Sequence, residues 1–374
     1  MIKVLHLISS LNIGGAEQNL RNLVEKMDTN EFRNTIVSMT DIGMLGEGII
    51  RLGIPVIMLN MKKGVPDPRG ILRLHRIVKT LQPDIIQTWM YHANILGLLF
   101  STPRPVIWNI RCSDMDLSRY GLIYRLTVQA GALMSGRPAL VIANAYAGKS
   151  AHERFGYHPR RWEVIPNGFD TERFKPDVAT RDEVRRELQI PPEAISVGLI
   201  ARFDPMKDHQ NFFKAMYDLQ SMYPDVHYVL AGRGIDAANP AFHSLKPPIT
   251  DNLHLIGERH DIHRILAALD ISILSSSFGE GFPTIIGESM SAGVPCVVTD
   301  TGDAPILVGD TGIVVPRRNP KALASAISGL IHAGPAARAA LGHKARIRIL
   351  DQYSIDLTVK QYETLYKELR ESCR

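Results

Sequence analysis

Two carboxylates, Glu280 and Glu288, stand with seven residues between them in the stretch Ser277-Phe-Gly-Glu-Gly-Phe-Pro-Thr-Ile-Ile-Gly-Glu-Ser-Met-Ser-Ala-Gly-Val-Pro295. An apolar run, Ile271 to Leu274, leads in as a strand, and Pro283 reads as the first position of a helix closed by Gly293-Val-Pro295. A helix N-terminus offers unpaired N–H groups and the positive end of a dipole, which suits phosphate. A carboxylate in the loop just before it suits a neutral partner such as sugar hydroxyls. Glu288 lies further in, on a side that could accept from a ribose. The plainer alternative has Glu280 capping the helix and Glu288 solvated.

Two cations lie in a second loop. Arg202 and Lys207, in Arg202-Phe-Asp-Pro-Met-Lys207, follow the strand Ile195 to Ala201 and precede a helix. Such a pair offers a planar fork and a point charge to a diphosphate. Gly14-Gly15, after a first strand Val4 to Ile8, lets a backbone approach a phosphate closely. The third glycine of a dinucleotide fingerprint is absent, and a glycine pair can be mere turn chemistry. Asn109-Ile-Arg-Cys-Ser-Asp-Met-Asp116 ends another strand, where open α/β sheets place ligands. Arg111 there could hold phosphate or sugar oxygens but cannot act as a base. His92 is the nearest imidazole. Asp114 and Asp116 have the form of a metal-binding pair, but acidic residues near a helix start are also ordinary capping chemistry.

The Glu-x7-Glu spacing, with Gly-Phe-Pro after the first Glu, resembles the retaining glycosyltransferases of family 4. The resemblance runs along nearly the whole chain and implies the GT-B fold: two facing Rossmann-like α/β domains with parallel sheets and a cleft between them. It implies that Glu280 contacts the transferred sugar, Glu288 the ribose, and Arg202 and Lys207 the diphosphate. Backbone groups of Gly281, Phe282 and Thr284 would add to the donor site, Pro283 having no N–H to give. Gly14 and Gly15 would cover the donor phosphates, and the loop Gly257-Glu-Arg259 would hold the base. Arg111 falls where many members carry a catalytic His, and Gln87-Thr-Trp89 replaces a frequent His-x-His. The stretch from Asp84 to Ala93 and from Trp108 to Asp114 resembles bacterial O-antigen and capsule members. That implies a UDP-sugar donor, a saccharide or polyprenyl-pyrophosphate-linked saccharide acceptor, and neither metal nor cofactor. Two other readings stay open: a GT-B nucleotide-sugar epimerase, and a non-catalytic nucleotide-sugar-binding subunit.

Positioning these groups falls to alternating elements. Strands at Asn34–Met39, Val56–Leu59, Ile85–Thr88 and Pro105–Ile110 alternate with helical segments, which argues a parallel sheet with helices on both faces. Leu117 to Ser135 reads as a helix whose apolar residues Leu122, Ile123, Leu126, Leu133 and Met134 suit a core, with a membrane surface as the alternative. Pro166-Asn-Gly168 breaks the chain sharply and resembles the family's interdomain hinge. The expected division is a first domain over 1–166 and a donor domain over 167–354. The tail helix, 355–374, would cross back onto the first.

Composition fits two soluble domains: 374 residues, 45% hydrophobic and 22% charged. Cys112, Cys296 and Cys373 are too few and scattered for a disulfide framework or a zinc cluster, which suits a reducing cytoplasm. No apolar run nears the ~18 residues of a membrane span. Residues 1–165 carry 20 Lys and Arg against 12 Asp and Glu, a net +8, and the rest of the chain is −3. A basic first half suits anionic lipid or a pyrophosphate-linked acceptor at the inner membrane face. Nucleic acid is the poorest candidate, because no helix-turn-helix, RNP or zinc-finger pattern occurs.

Overall fold

A computed structural model describes residues 1–12, 14–62, 67–113, 117, 121–236, 238–245 and 251–372. Asp114, Asp116 and Cys373 lie outside the described residues. The chain forms two compact units, Met1–Gly168 with Ile355–Arg374, and Phe169–Ser354.

The first unit holds seven parallel strands: β1 (Ile2–Ile8), β2 (Phe32–Ser38), β3 (Val56–Met58), β4 (Ile85–Trp89), β5 (Val106–Ile110), β6 (Leu140–Ala143) and β7 (Trp162–Val164). Their order is β3-β2-β1-β4-β5-β6-β7. Central strands such as β4 and β5 are buried at every position, as expected where helices cover both faces of a parallel sheet. Those helices are α1 (Gly15–Lys26), α2 (Gly43–Arg51), α3 (Pro68–Leu81), α4 (Tyr91–Gly97), α5 (Leu122–Met134) and α6 (Tyr146–Arg154). Capping explains their starts in places: the Asp67 carboxylate accepts from Arg69 N at 2.9 Å ahead of Pro68, a proline where a helix tolerates one.

The second unit carries α7 (Val178–Glu187), β8 (Ser196–Ile200), α8 (His209–Gln220), β9 (His227–Ala231), α9 (Pro240–His243), β10 (Leu253–Leu255) and α10 (Ile262–Ala267). It continues with β11 (Ile271–Leu274), α11 (Thr284–Ser291), β12 (Cys296–Thr299), α12 (Ala304–Val308), β13 (Ile313–Val315), α13 (Pro320–His332) and α14 (Gly334–Gln352). The six strands are parallel in the order β10-β9-β8-β11-β12-β13, around a core that includes Phe212, Met216, Leu230, Ile273, Val297 and Ile327.

The last helix, α15 (Ile355–Ser372), belongs to the first unit and buries Tyr362, Leu365 and Tyr366 in the cluster that holds Leu23, Trp89 and Ile107. Gly168 lies so close to it that a Cβ would come within 2.8 Å of Ile355 Cα and Thr358, so only glycine fits. Each sheet reverses its order once, at β1/β4 and at β8/β11, and such switch points are where open α/β sheets leave a crevice at the strand ends. Both units meet the expectation of two Rossmann-like α/β domains.

Candidate active site

In the second unit the loops after β8 and β11 flank the switch point, and they carry the two candidate charge groups. Asp204 opens a short 3-10 turn, Pro205–Lys207, by accepting from Met206 N at 2.9 Å. Asp208, in the left-handed region at φ +46°, then starts α8 by accepting from Asn211 N. The two loops are tied by backbone contacts. Ser277 N donates to Met206 O at 2.9 Å, and Ser275 Oγ to Lys207 O at 2.7 Å.

Across this seam Lys207 Nζ lies 2.5 Å from Glu280 Oε1, and Ser276 Oγ donates to the same oxygen at 2.6 Å. The Lys207 side chain is 14% exposed and that of Glu280 8%. A carboxylate withdrawn this far from water needs its charge met by a partner. Sequence reasoning placed both residues at a donor site but missed their pairing and missed Ser276. The run of three serines after an apolar strand, Ser275 to Ser277, was the available signal.

The loop after β12 holds the other side of the Glu280 segment. Thr299 Oγ1 donates to Ser276 O at 2.6 Å, and Asp303 N to Gly281 O at 2.8 Å. Gly302 sits at φ +56°, where a Cβ would lie 2.6 Å from the Gly281 carbonyl oxygen and closer still to that of Glu280. Phe282 turns inward, its ring stacked on Phe169 with centroids 6.1 Å apart and 5.1 Å from Tyr353. Pro283 is the residue before α11 and not its first position, with φ −69° and ψ 111°. A Cβ on Gly287 would strike the Phe169 ring, so this glycine lets α11 pack close.

Glu288, on α11, keeps some solvent contact and has no side-chain hydrogen-bond partner among the described residues. Burial pushes its carboxyl up to about 8, opposed weakly by the positive charge of Arg173. A carboxyl of this kind is an unmet acceptor for a hydroxyl pair. Arg202 is exposed, with Nε and Nη2 each 3.2 Å from Asp204 Oδ2. Gly257 takes φ +66° and accepts from Gly232 N at 2.7 Å. The Arg259 side chain is committed to ion pairs with Asp261 at 2.8 Å and Glu187 at 2.7 Å, which leaves only its backbone for a ligand.

In the first unit the outcome differs. Gly14 precedes α1 in extended backbone that any residue adopts, and a Cβ there would meet the Glu17 carboxylate, a flexible side-chain end. Gly15 is the first residue of that helix. Arg111, expected to hold phosphate or sugar oxygens, makes its described contacts within its own unit. Nη1 donates to Asn167 Oδ1 at 2.5 Å, Nη2 to Tyr362 Oη at 3.1 Å, and the guanidinium lies 4.8 Å from the Trp89 ring centroid. Only Nε lacks a partner among the described residues, and burial lowers the pKa of the group. Gln87 and Asn109 likewise meet Tyr366 and Tyr362 on α15. His92 is half-buried, its ring 6.2 Å from that of Tyr124. Buried imidazoles in this unit are His6, which accepts from Trp89 Nε1 at 3.4 Å, and His152, which Tyr91 Oη meets at 2.7 Å; burial holds both near 4. Nothing in the local sequence marked them.

The helix expected as core over Leu117–Ser135 is described as α5, and its apolar residues do not all face inward. Leu122, Ile123, Leu126 and Leu133 are exposed. Among the described residues no group of three or more His, Cys, Asp or Glu is arranged to hold a metal.

Two families match the chain. Glycosyltransferase Family 4 matches residues 13–173, and Glycosyl transferases group 1 matches residues 180–348. EpsF of Bacillus subtilis is 24% identical over 80% of this chain and 79% of its own length. The UDP-Gal:alpha-D-GlcNAc-diphosphoundecaprenol alpha-1,3-galactosyltransferase of Escherichia coli is also 24% identical, over 76% of this chain and 74% of its own. Among solved structures, Anabaena HepE in complex with UDP-glucose superposes with a TM-score of 0.84 at 23% identity, covering 98% of this chain and 100% of that one.

Proposed function

The chain belongs to glycosyltransferase family 4, and from that premise we propose that it moves a sugar from a UDP-linked donor onto a polyprenyl-pyrophosphate-linked saccharide, retaining the anomeric configuration. The process served would be synthesis of a bacterial surface polysaccharide. The galactosyltransferase of E. coli, which is similar over 76% of this chain, supports both substrates, and the UDP-glucose bound to HepE supports the donor.

The observation that carries this reading is the buried Lys207–Glu280–Ser276 cluster at the β8/β11 switch point. Lys207 has three N–H donors and gives one to Glu280, so two remain for a phosphate oxygen. Arg202 brings a second positive charge to the same loop. As the glycosidic bond lengthens, negative charge grows on the diphosphate and positive charge on the sugar ring. Fixed cations beside the first and the Glu280 carboxylate beside the second lower the barrier, by roughly 3–4 kcal/mol for each such donor. Glu288 would receive the ribose hydroxyls, and backbone groups of Gly257 to Arg259 the base. Backbone of the Gly281 to Thr284 segment and of Gly14 and Gly15 would line the phosphates and sugar. With Arg111 bound to Tyr362, its place is that of a positioning residue. The departing phosphate oxygen can take the acceptor proton, so no separate base and no metal is required.

The test is transfer from UDP-sugars to a short polyprenyl-pyrophosphate-linked saccharide, with the product's anomeric coupling read by NMR. An inverted product would overturn the retaining mechanism. Release of UDP without a new glycoside on any lipid-linked acceptor would overturn the acceptor class.

A further inference from the structure

Helix α5 is apolar on both sides. Its inner side packs into the first unit: Tyr124 meets Tyr91 edge-on at 5.5 Å, Tyr157 Oη donates to Val128 O at 3.2 Å, and Gly131 admits the Tyr157 hydroxyl where a Cβ would not fit. At about 100° per residue, Leu122, Leu126 and Leu133 fall within about 40° of one another on the opposite side, with Ile123 at the edge. They are 68%, 52%, 90% and 60% exposed. An amphipathic helix ordinarily turns its apolar residues to the core, and these four face away from it. Four such side chains on one short face amount to a patch and not to scattered surface residues.

The charge around the patch selects its occupant. From Leu117 to His152 the sequence has no Asp or Glu, and it carries Arg119, Arg125, Arg137 and Lys149. Arg125, on α5, and Arg137, just beyond it, are exposed and form no ion pair among the described residues. An apolar stripe with the exposed Arg125 and Arg137 beside it is mismatched to bulk water and to a basic surface. It matches a bilayer whose headgroups are anionic, with the leucines in the acyl boundary and the guanidinium groups among the phosphates. No helix among the described residues is long and apolar enough to cross a membrane, so the contact is one that lies on the surface.

We propose that the outward face of α5 inserts shallowly into an anionic lipid surface. This deepens the lipid-linked acceptor reading by naming the face presented to the membrane, and it rests on that reading for its purpose only. The experiment therefore uses neither donor nor acceptor. Full-length protein is sedimented with phosphatidylcholine vesicles with or without 30–40% phosphatidylglycerol (about the anionic content needed for a surface potential of some tens of millivolts).

Wild type should bind the anionic vesicles, weaken as salt rises because surface attraction is screened, and keep residual binding from the apolar stripe. The variant Leu122→Ser/Ile123→Ser/Leu126→Ser/Leu133→Ser should lose at least about tenfold in partition, since it removes the apolar area that enters the lipid. Arg125→Glu with Arg137→Glu should lose the preference for anionic over neutral lipid. Unchanged circular dichroism and thermal unfolding of the first unit in both variants show that they are folded. Serine variants that partition like wild type overturn the proposal. So does a wild type that is dimeric in light scattering and becomes monomeric with the serines, because a second copy then covers the face. Absent transferase activity beside the expected vesicle binding overturns the proposed reaction and leaves this face standing.

Discussion

Lys207 and Ser276 converge on one oxygen of Glu280, so Lys207 and Glu280 form one ion pair although 73 positions separate them. Changing either therefore changes both. Glu280→Gln removes the charge that holds Lys207 and returns that ammonium to a diphosphate. UDP affinity is expected to stay level or tighten by a few fold, while turnover with the full donor falls roughly 100-fold or more, as for loss of a contact made in the transition state. Calorimetry beside single-turnover transfer reads the two effects. UDP binding that collapses along with turnover would show that Glu280 only holds the loop.

The same pair should be visible in stability. Lys207→Met takes away the positive charge that the buried Glu280 carboxylate faces, at a cost of about 3–5 kcal/mol. Adding Glu280→Gln should recover part of that, giving a coupling of roughly 1–3 kcal/mol in urea unfolding. Additive losses would mean that water already screens the pair.

Glu288 should make donor binding and stability depend on pH in opposite directions. Its folded pKa, raised to about 8, lies above that of an unfolded Glu near 4.5. Between those values the folded state holds the extra proton, so this group's contribution to stability is fully present below pH 4.5 and is lost as pH rises through 8. Glu288→Gln should thus gain stability relative to wild type as pH rises from 5 to 8. A ribose hydroxyl pair favours the ionised form, so UDP affinity of the wild type should increase from pH 6.5 to 8.5 and that of the Gln variant should stay flat. Calorimetry in buffers of different ionisation enthalpy would detect the proton released on binding.

Gly302→Ala tests whether the loop after β12 sets the Glu280 carboxylate. Gly53 is a matched control, because its φ is +79° and a Cβ there would meet nothing within 4 Å. Gly53→Ala should cost only the left-handed backbone term, about 1–2 kcal/mol, and leave turnover alone. Gly302→Ala should cost more and lower kcat, because its Cβ must displace the Glu280 and Gly281 carbonyls. Equal effects at both positions would remove any special role for Gly302.

Transfer should survive excess EDTA. Activity lost to the chelator and restored by manganese would bring Asp114 and Asp116 back as ligands.

The strand-end loops were legible because their chemistry is local. An apolar run, a polar turn and a capped helix lie within about twenty residues, and that is enough to place Arg202, Lys207, Glu280 and Glu288. What joins them is not local. The contact of Lys207 with Glu280 depends on β8 pairing with β11, which no periodicity reports. The hydrogen bond of Arg111 to Tyr362 spans 251 positions, so no local pattern reports it. On α5 the pattern showed apolar residues correctly, but an apolar residue carries no mark of whether protein or lipid covers it. Pro283 was misplaced by one position, since proline suits the residue before a helix as well as its first turn.

The tail helix gives this chain a particular order of assembly. On the ribosome, the first 168 residues emerge with one flank of their sheet bare, and the second unit is made in full before α15 appears. Until then Gln87, Asn109 and Arg111 have no tyrosine hydroxyls to meet, and Leu23, Trp89 and Ile107 lack the wall that Tyr362 and Tyr366 supply. The amino-terminal half is thus the last to be finished. A chain ending before Ile355 would carry a complete second unit joined to a first whose core stays open to chaperones and proteases.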